Sequence, residues 1–228
     1  MNAADVMTSN VITISPDASI LDLATLLLAN RISAVPVIGE RGELEGIVSE
    51  GDVLRRVEVG TERRRSWWLA ALATNEELAA DFVKSHAGKV ADIMTRRVVT
   101  ARMDTPIAEI ASLLERHAIK RVPIMDAGKV VGIVSRANLV QALASAQRRV
   151  AAGTAADDAG LRQSIERRLS AQAWARPWLL NVIVCDGTAE LWGIVESQAE
   201  KDAARVAAES TPGVRAVNDR LIVRPIAS

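Results

Sequence analysis

The chain has 228 residues, a length that suits two or three small domains better than one average domain. With 49% hydrophobic and 25% charged residues it can bury cores, and it is not a mainly disordered chain. The 28 basic and 28 acidic residues cancel, which argues against a nucleic-acid coat or a polybasic membrane anchor. A single cysteine, Cys185, excludes an intramolecular disulfide and a cysteine-based zinc site.

The N-terminus and the apolar runs together predict a cytoplasmic protein. Residues 1–5 have no basic stretch followed by an apolar one, so we expect no secretory signal. The longest apolar runs, such as Leu26–Ala29, are far shorter than the roughly 20 residues that cross a bilayer.

Residues 1–58 predict strand, helix, strand, strand and helix in this order. Val11–Ile14 is a short β-branched run, and Ser15-Pro16-Asp17 is typical of a helix start. Val35–Ile38 and Leu44–Ser49 flank a glycine-containing turn and predict a hairpin, after which Gly51–Val57 returns to helix. The first helix has one apolar stripe, formed by Ile20, Leu23, Ala24, Leu27 and Leu28.

Residues 59–91 form an insert with a basic and aromatic run at Thr61–Leu69. Such a run is compatible with a membrane-interface or nucleic-acid patch. We favour a helix whose Trp67 and Trp68 pack on a neighbouring surface, because an amphipathic pattern of leucines and Phe82 follows. His86 and His117 have no partner at metal-ligand spacing, so we predict no metal site.

The first segment returns in residues 92–147. Asp5-Val6-Met7-Thr8 reappears 87 residues later as Asp92-Ile93-Met94-Thr95. After a one-residue slip in a turn, Gly46–Ser49 reappears 86 residues later as Gly132–Ser135. The helix of the second copy begins at Thr105-Pro106.

Residues 148–156 are a small-residue linker, and residues 157–228 predict helix, strand, strand, helix and strand. The first helix begins at Asp157-Asp158, and the second covers Ser197–Glu209. Asp186-Gly187-Thr188 is a strong turn signal between two apolar strands. Cys185 ends an apolar strand without a catalytic signature, so we expect it to pack. The three predicted strands are Leu180–Val184, Ala189–Val195 and Val214–Val223.

The doubled unit resembles a tandem pair of CBS (cystathionine-β-synthase-type) domains, and the C-terminal segment resembles a BON (bacterial OsmY and nodulation) domain. The resemblance implies an α+β fold, in which two βαββα CBS repeats pack as one module beside a small αββαβ C-terminal domain. The expected bounds are 1–58 and 92–147 for the CBS repeats, 59–91 for the helical insert, 148–156 for the linker and 157–228 for the BON-like domain.

The residues themselves point to a ligand at Gly46–Asp52. The strand ends at Ser49 and a helix begins at once, which presents free backbone N–H groups and the positive end of the helix dipole. Asp52 can accept two hydrogen bonds from a vicinal diol, but Ser-x-x-Asp is also a serviceable helix cap, and the motif alone favours the cap. The repeat context reverses this preference. The second copy carries Asn138 at this place. Losing a charge-assisted hydrogen bond predicts a roughly tenfold weaker interaction.

CBS pairs bind adenosine-containing nucleotides in the cleft between the copies, and the resemblance implies AMP, ADP, ATP or another adenosyl compound here, none covalently bound. By resemblance, Asp52 would hold the ribose hydroxyls and Ser49 would lie near the ribose or a phosphate. The candidate ligand-binding residues are Thr13, Val35, Pro36, Ile47, Ser49, Asp52, Thr100, Lys120, Arg121, Val122, Pro123, Ile133, Ser135, Arg136 and Asn138.

The two candidate sites are expected to be unequal. Lys120, Arg121 and Arg136 make the second copy cationic, which suits phosphates, although Lys120 and Arg121 could also be a solvated pair before a strand. The matching places in the first copy hold Ser33, Ala34 and Glu50. We therefore expect one site suited to ribose and one suited to phosphate.

These features favour a non-enzymatic regulatory protein, with the CBS pair as nucleotide sensor and the BON domain as output module toward an unidentified protein target. The alternative is a phospholipid- or envelope-interacting protein that acts through the BON domain, with the CBS pair as dimerisation scaffold. No catalytic triad, P-loop or paired carboxylate can be assembled, so we expect no catalytic residue. We expect no nucleic-acid partner either, because the candidate sites lack aromatic residues for stacking.

The neutral total hides an uneven distribution of charge. Residues 1–58 carry 4 basic and 9 acidic side chains, a net of −5, whereas residues 92–150 carry 10 and 5, a net of +5. CBS-type pairs commonly dimerise into a disc, and in a two-fold dimer the same patches meet. We therefore predict a homodimer arranged head-to-tail, in which the acidic copy faces the basic copy of the partner.

Overall fold

A computed structural model describes residues 1–54, 88–146 and 157–225. Most of the predicted insert, with Trp67, Trp68 and His86, and the linker of residues 148–156 lie outside the described residues. The chain divides into two compact units, one of residues 12–98 and one of residues 1–11 with 99–228.

The described elements also include a 3-10 turn at Pro177–Leu179. In chain order the helices and strands are α1 (Ala3–Val6), α2 (Ile20–Asn30), β1 (Ala34–Ile38), β2 (Leu44–Ser49), α3 (Glu50–Val53), α4 (Val90–Ile93), β3 (Ala101–Arg102), α5 (Ile107–Arg116), β4 (Arg121–Asp126), β5 (Lys129–Ser135), α6 (Arg136–Ala146), α7 (Asp158–Ser170), β6 (Leu180–Cys185), β7 (Thr188–Val195), α8 (Gln198–Glu209) and β8 (Ala216–Val223).

The unit of residues 12–98 is built on the predicted β1–β2 hairpin. The strands are antiparallel, with Pro36 opposite Ile47. The predicted strand Val11–Ile14 is reduced to a single parallel bridge between Ile14 and Val37. The core beneath the hairpin comes from both strands, α2 and α4, and includes Leu23, Leu27, Val35, Val37, Val48 and Ile93.

Helix α2 begins later than the sequence predicted. Its N-cap is Ser19, whose hydroxyl accepts the N–H of Asp22 at 3.0 Å, while the Asp22 carboxylate accepts the N–H of Ser19 at 3.2 Å. This reciprocal capping box satisfies two backbone donors of the first turn. The predicted start at residues 15–17 is therefore wrong, and Pro16 lies in the preceding turn.

The second copy repeats this arrangement in the other unit. Strands β4 and β5 are antiparallel with Pro123 opposite Ile133, and short β3 pairs with β4 in parallel. The register shifts after Ile124, just as it shifts after Val37 in the first copy. The sequence repeat is thus a structural repeat.

The first segment of each repeat lies in the compact unit that contains the hairpin of the other repeat. Thr95 exchanges backbone hydrogen bonds of 2.9 and 3.0 Å with Ile47, and Thr8 exchanges bonds of 2.9 and 3.0 Å with Ile133. A Cβ on Gly46 would lie 2.7 Å from Met94 Sδ, and one on Gly132 would lie 2.8 Å from Met7 Cγ. The glycines of the two hairpins therefore make room for the methionines of the exchanged segments.

The C-terminal domain, residues 157–225, is a three-stranded sheet in the order β6-β7-β8, covered by α7 and α8. The β6–β7 turn places Asp186 and Gly187 at φ of 50° and 71°, as a two-residue hairpin turn requires. Strand β8 joins β7 in parallel. The predicted αββαβ order and the α+β class are confirmed.

Two kinds of feature are absent from the described residues. No described helix combines the length and the apolar character needed to cross a membrane. Nor do the described residues contain a group of three or more His, Cys, Asp or Glu side chains placed to hold a metal ion.

Candidate functional site

Three predicted ligand contacts of the first copy share one face of the β1–β2 hairpin. Side chains alternate along a strand, so Pro36, Ile47 and Ser49 lie on the face opposite Val48. Thr13 is exposed and lies beside them, because the adjoining Ile14 donates its N–H to the Pro36 carbonyl at 3.1 Å. The structure brings these four predicted residues together.

Val35 and Val122 lie elsewhere. Both side chains are 0% exposed and belong to the hydrophobic cores of their units. A side chain without exposed surface cannot touch a ligand in this structure. Val35 and Val122, both candidate ligand-binding residues, thus pack in the two cores.

The Ser49–Asp52 motif forms the cap that the sequence offered as one of two interpretations. Oδ2 of Asp52 accepts the Ser49 N–H at 3.0 Å and the Ser49 hydroxyl at 2.8 Å. Asp52 is half-buried, and its Oδ1 makes no hydrogen bond within the described part of the chain. One carboxylate oxygen therefore remains able to accept hydrogen bonds from a ligand.

Asn138 occupies the equivalent place in the second copy but differs in burial and bonding. Its Oδ1 accepts the N–H and hydroxyl of Ser135 at 2.8 and 2.6 Å, and its Nδ2 donates to the Val6 carbonyl at 3.1 Å. The residue is only 4% exposed. An amide can accept at one end and donate at the other, whereas a carboxylate can only accept, which accounts for asparagine in place of aspartate here. The sequence suggested a weakened ribose ligand and did not reveal the donor role.

The three predicted cations of the second copy lie at one strand end. Arg121 is opposite Ser135 in the hairpin, and Arg136 donates its N–H to the Lys120 carbonyl at 3.3 Å. The Arg136 guanidinium also donates to the Ile119 carbonyl at 3.3 Å. This cationic cluster, defined as Lys120, Arg121 and Arg136, has no counterpart at Ser33, Ala34 and Glu50.

The remaining candidates of the second copy mirror those of the first. Pro123 is buried and Ile133 is half-buried on the hairpin face that carries Ser135. Thr100 is exposed immediately before β3. His117 is exposed and Cys185 is half-buried beside the turn of the BON hairpin.

A polar network that sequence reasoning missed surrounds α1. Arg162 is 5% exposed, donates to the carbonyls of Ala4 and Met7, and pairs with Glu166 at 2.9 Å. Asn181 is 6% exposed and donates to the Val6 carbonyl at 3.2 Å. The only signal in the sequence was the i,i+4 spacing of Arg162 and Glu166, which is normally typical of a solvated pair.

Comparison with known proteins agrees with this geometry. The CBS domain matches residues 3–59 and 90–145, and the BON domain matches residues 157–225. The uncharacterized protein MJ1426 of Methanocaldococcus jannaschii is 31% identical over 150 residues, which cover 61% of this chain and 89% of that protein. The chloroplastic CBS domain-containing protein CBSX2 of Arabidopsis thaliana is 30% identical over 139 residues, which cover 58% of each chain.

One solved structure of a relative contains a bound nucleotide. The crystal structure of CBSX2 in complex with AMP aligns with a TM-score of 0.56 at 30% sequence identity. The alignment covers 64% of this chain and 99% of that chain.

Proposed function

Because the chain belongs to the CBS-domain family, with a CBS pair followed by a C-terminal BON domain, we propose that it is a regulatory protein that binds an adenosine-containing nucleotide such as AMP. The observation that carries the proposal is the Ser49–Asp52 motif, in which one carboxylate oxygen of Asp52 has no hydrogen bond to the described residues. The AMP complex of its relative CBSX2 supports the same class of ligand.

The first copy supplies the chemistry for a nucleoside. Asp52 Oδ1 accepts hydrogen bonds from the ribose hydroxyls, and the negative charge strengthens them. The half-buried Ile47 offers an aliphatic surface to the base beside the buried Pro36, and the exposed Thr13 offers a hydroxyl to the polar edge of the base. Ser49 completes the site by holding Asp52 in place through two hydrogen bonds.

The second copy supplies the chemistry for an anion. Lys120, Arg121 and Arg136 lie at one strand end, where guanidinium and ammonium groups suit phosphate oxygens. In this proposal the two copies are separate and unequal sites, of which the first favours the ribose of a nucleotide and the second favours its phosphate.

We also propose that the protein acts without catalysing a reaction, in the cytoplasm, as a homodimer with the BON domain as its output module. The exposed leucines of α2 support self-association, since Leu21 and Leu28 are 76% and 77% exposed and lie two turns apart. The charge difference between residues 1–58 and 92–150 favours the head-to-tail arrangement.

Thermal unfolding with and without AMP tests the proposal. AMP at 100 times its dissociation constant should stabilise the chain by about 2.7 kcal/mol, which corresponds to a rise in melting temperature of about 5 °C or more. Asp52→Ala should abolish this rise, because the ribose loses its charged acceptor.

Asp22→Ala is the matched control, since Asp22 makes the same capping box with Ser19 and has no role in the ligand site. It should lower the melting temperature without AMP and leave the AMP-induced rise intact. An equal AMP-induced rise in wild type and Asp52→Ala would refute the proposed role of Asp52.

A second candidate function is supported by the outer face of β8. The exposed residues on this face are Arg220, Ile222, which is 61% exposed, and Arg224, which directly follows the strand. They alternate with the buried Leu221. An apolar side chain between two arginines suits an anionic phospholipid surface. Flotation of the full chain with phosphatidylserine vesicles at low salt, and its loss in Ile222→Glu, would support this function. Equal flotation with neutral vesicles would contradict it.

A further inference from the structure

The carbonyl groups of α1 and its C-cap, residues 4–7, receive hydrogen bonds from two parts of the same compact unit. Arg162 of the BON domain donates to the carbonyls of Ala4 and Met7. The Val6 carbonyl between them receives Nδ2 of Asn138 at 3.1 Å and Nδ2 of Asn181 at 3.2 Å. Asn138 of the second CBS copy and Asn181 of the BON domain thus donate to the same acceptor, the Val6 carbonyl.

Helix α6 makes a second connection between the same two parts. It begins directly after Ser135, and its Gln141 and Ser145 lie on the face that carries Asn138. Gln141 accepts from Asn181 at 2.8 Å, and Ser145 donates to Glu190 at 2.7 Å. The helix that starts at the predicted ligand motif therefore lies along the sheet of the BON domain.

The contact between the second CBS copy and the BON domain is formed by polar side chains that are almost completely buried. Arg162, Asn181 and Glu190 are 5%, 6% and 5% exposed, and Ser145 and Asn138 are 2% and 4% exposed. Within the described residues, Oδ1 of Asn181 is buried without a hydrogen-bond partner, whereas the other polar groups named above are paired. Removing one member of a buried polar network leaves its partners unpaired and destabilises the contact. A switch requires two discrete arrangements of such a network, and the structure shows the docked one.

We propose that the docked BON domain is a latch on the second CBS copy, an inference that rests on the proposed nucleotide binding. While Arg162 and Asn181 hold the backbone of residues 4–7, Asn138 stays bonded to Val6 and cannot turn toward a ribose. Release of the BON domain frees this backbone and with it Asn138. Nucleotide binding at the second copy and docking of the BON domain oppose each other, because each ligand of a linked pair shifts the other equally.

Hydrogen exchange without nucleotide tests the docking itself. The amides of Ala3, Ala4, Met7 and Thr8 are hydrogen-bonded in the docked state. In the full chain, Arg162→Met and Asn181→Ala should each raise the exchange rates of these four amides at least about tenfold. Arg205→Met is the matched control, because Arg205 pairs with Glu209 on its own helix. Unchanged exchange in both variants would overturn the latch.

Titration with AMP tests the coupling. Wild type and Arg205→Met should bind one AMP per chain, whereas Arg162→Met should gain a second site at least about tenfold tighter than any second site of wild type. Adding Asn138→Ala to Arg162→Met should remove that site. Should Arg162→Met fail to fold, Ser145→Ala breaks the bond to Glu190 and has the same expected effect.

The outcomes separate the two proposals. Faster exchange with an unchanged number of AMP molecules overturns the latch and leaves the proposed function standing. Absence of AMP binding in every folded variant overturns the proposed function, and the latch as a nucleotide-linked device falls with it, while the exchange rates still report whether Arg162 holds the BON domain.

Discussion

The carboxylate of Asp52 and the amide of Asn138 occupy equivalent positions and have different roles. Asp52 is half-buried, and among the described residues it accepts hydrogen bonds from Ser49 alone. Asn138 is buried, accepts from Ser135 and donates to Val6. The sequence showed the substitution, but it could not show that a carbonyl 132 residues away requires a donor at this position.

Asn138→Asp should therefore destabilise the protein although it restores the motif of the first copy. The substitution removes the donor to the Val6 carbonyl and places a carboxylate against that oxygen in a 4% exposed position. We expect a loss of about 1–3 kcal/mol in the free energy of unfolding, measured by urea denaturation. Asp52→Asn is the control and should change stability by less than about 0.5 kcal/mol. Equal stability of Asn138→Asp and wild type would contradict the donor role.

The elements follow the sequence pattern closely where the signal is local. Both predicted hairpins of the CBS copies and the Asp186-Gly187 turn are present, because turn residues and alternating apolar positions act over a few residues. The start of α2 was misplaced, because Ser15 and Ser19 both offer a cap and only Ser19 has Asp22 three residues later. In place of the predicted strand Val11–Ile14, the structure has one bridge between Ile14 and Val37.

One contact explains why a glycine and a methionine recur in both copies, and the sequence pattern alone did not reveal it. Gly132 belongs to β5, and a side chain there would enter the space of Met7. Met7 is 6% exposed and lies in the core of this unit. The sequence shows that the two motifs recur together. It does not show that they touch, because Met7 and Gly132 are more than a hundred residues apart along the chain.

Gly132→Ala should lower the free energy of unfolding by about 1–3 kcal/mol, because its Cβ would lie 2.8 Å from Met7 Cγ. The cost should shrink in a Met7→Ala background, where the space is free, and a double-mutant cycle in urea measures the difference. Gly88→Ala is the control, since no atom lies within 4 Å of a Cβ there. Additive effects of Gly132→Ala and Met7→Ala would contradict the direct contact.

At the scale of the whole molecule, the order of domains was predictable and their contacts were not. Two copies of one motif and a third segment with its own turns identified the CBS pair and the BON domain. The exchange of residues 5–8 and 92–95 between hairpins, and the seating of Arg162 on residues 4–7, depend on long-range geometry. The head-to-tail dimer stays a prediction from the charge of the two copies.

Isothermal titration of the full chain with AMP tests the central claim most directly. We predict saturable binding of one AMP per chain, lost in Asp52→Ala and retained in Asp22→Ala. A folded wild-type chain that releases no heat with AMP, ADP, ATP or an adenosyl compound would contradict the account, and so would unchanged binding in Asp52→Ala.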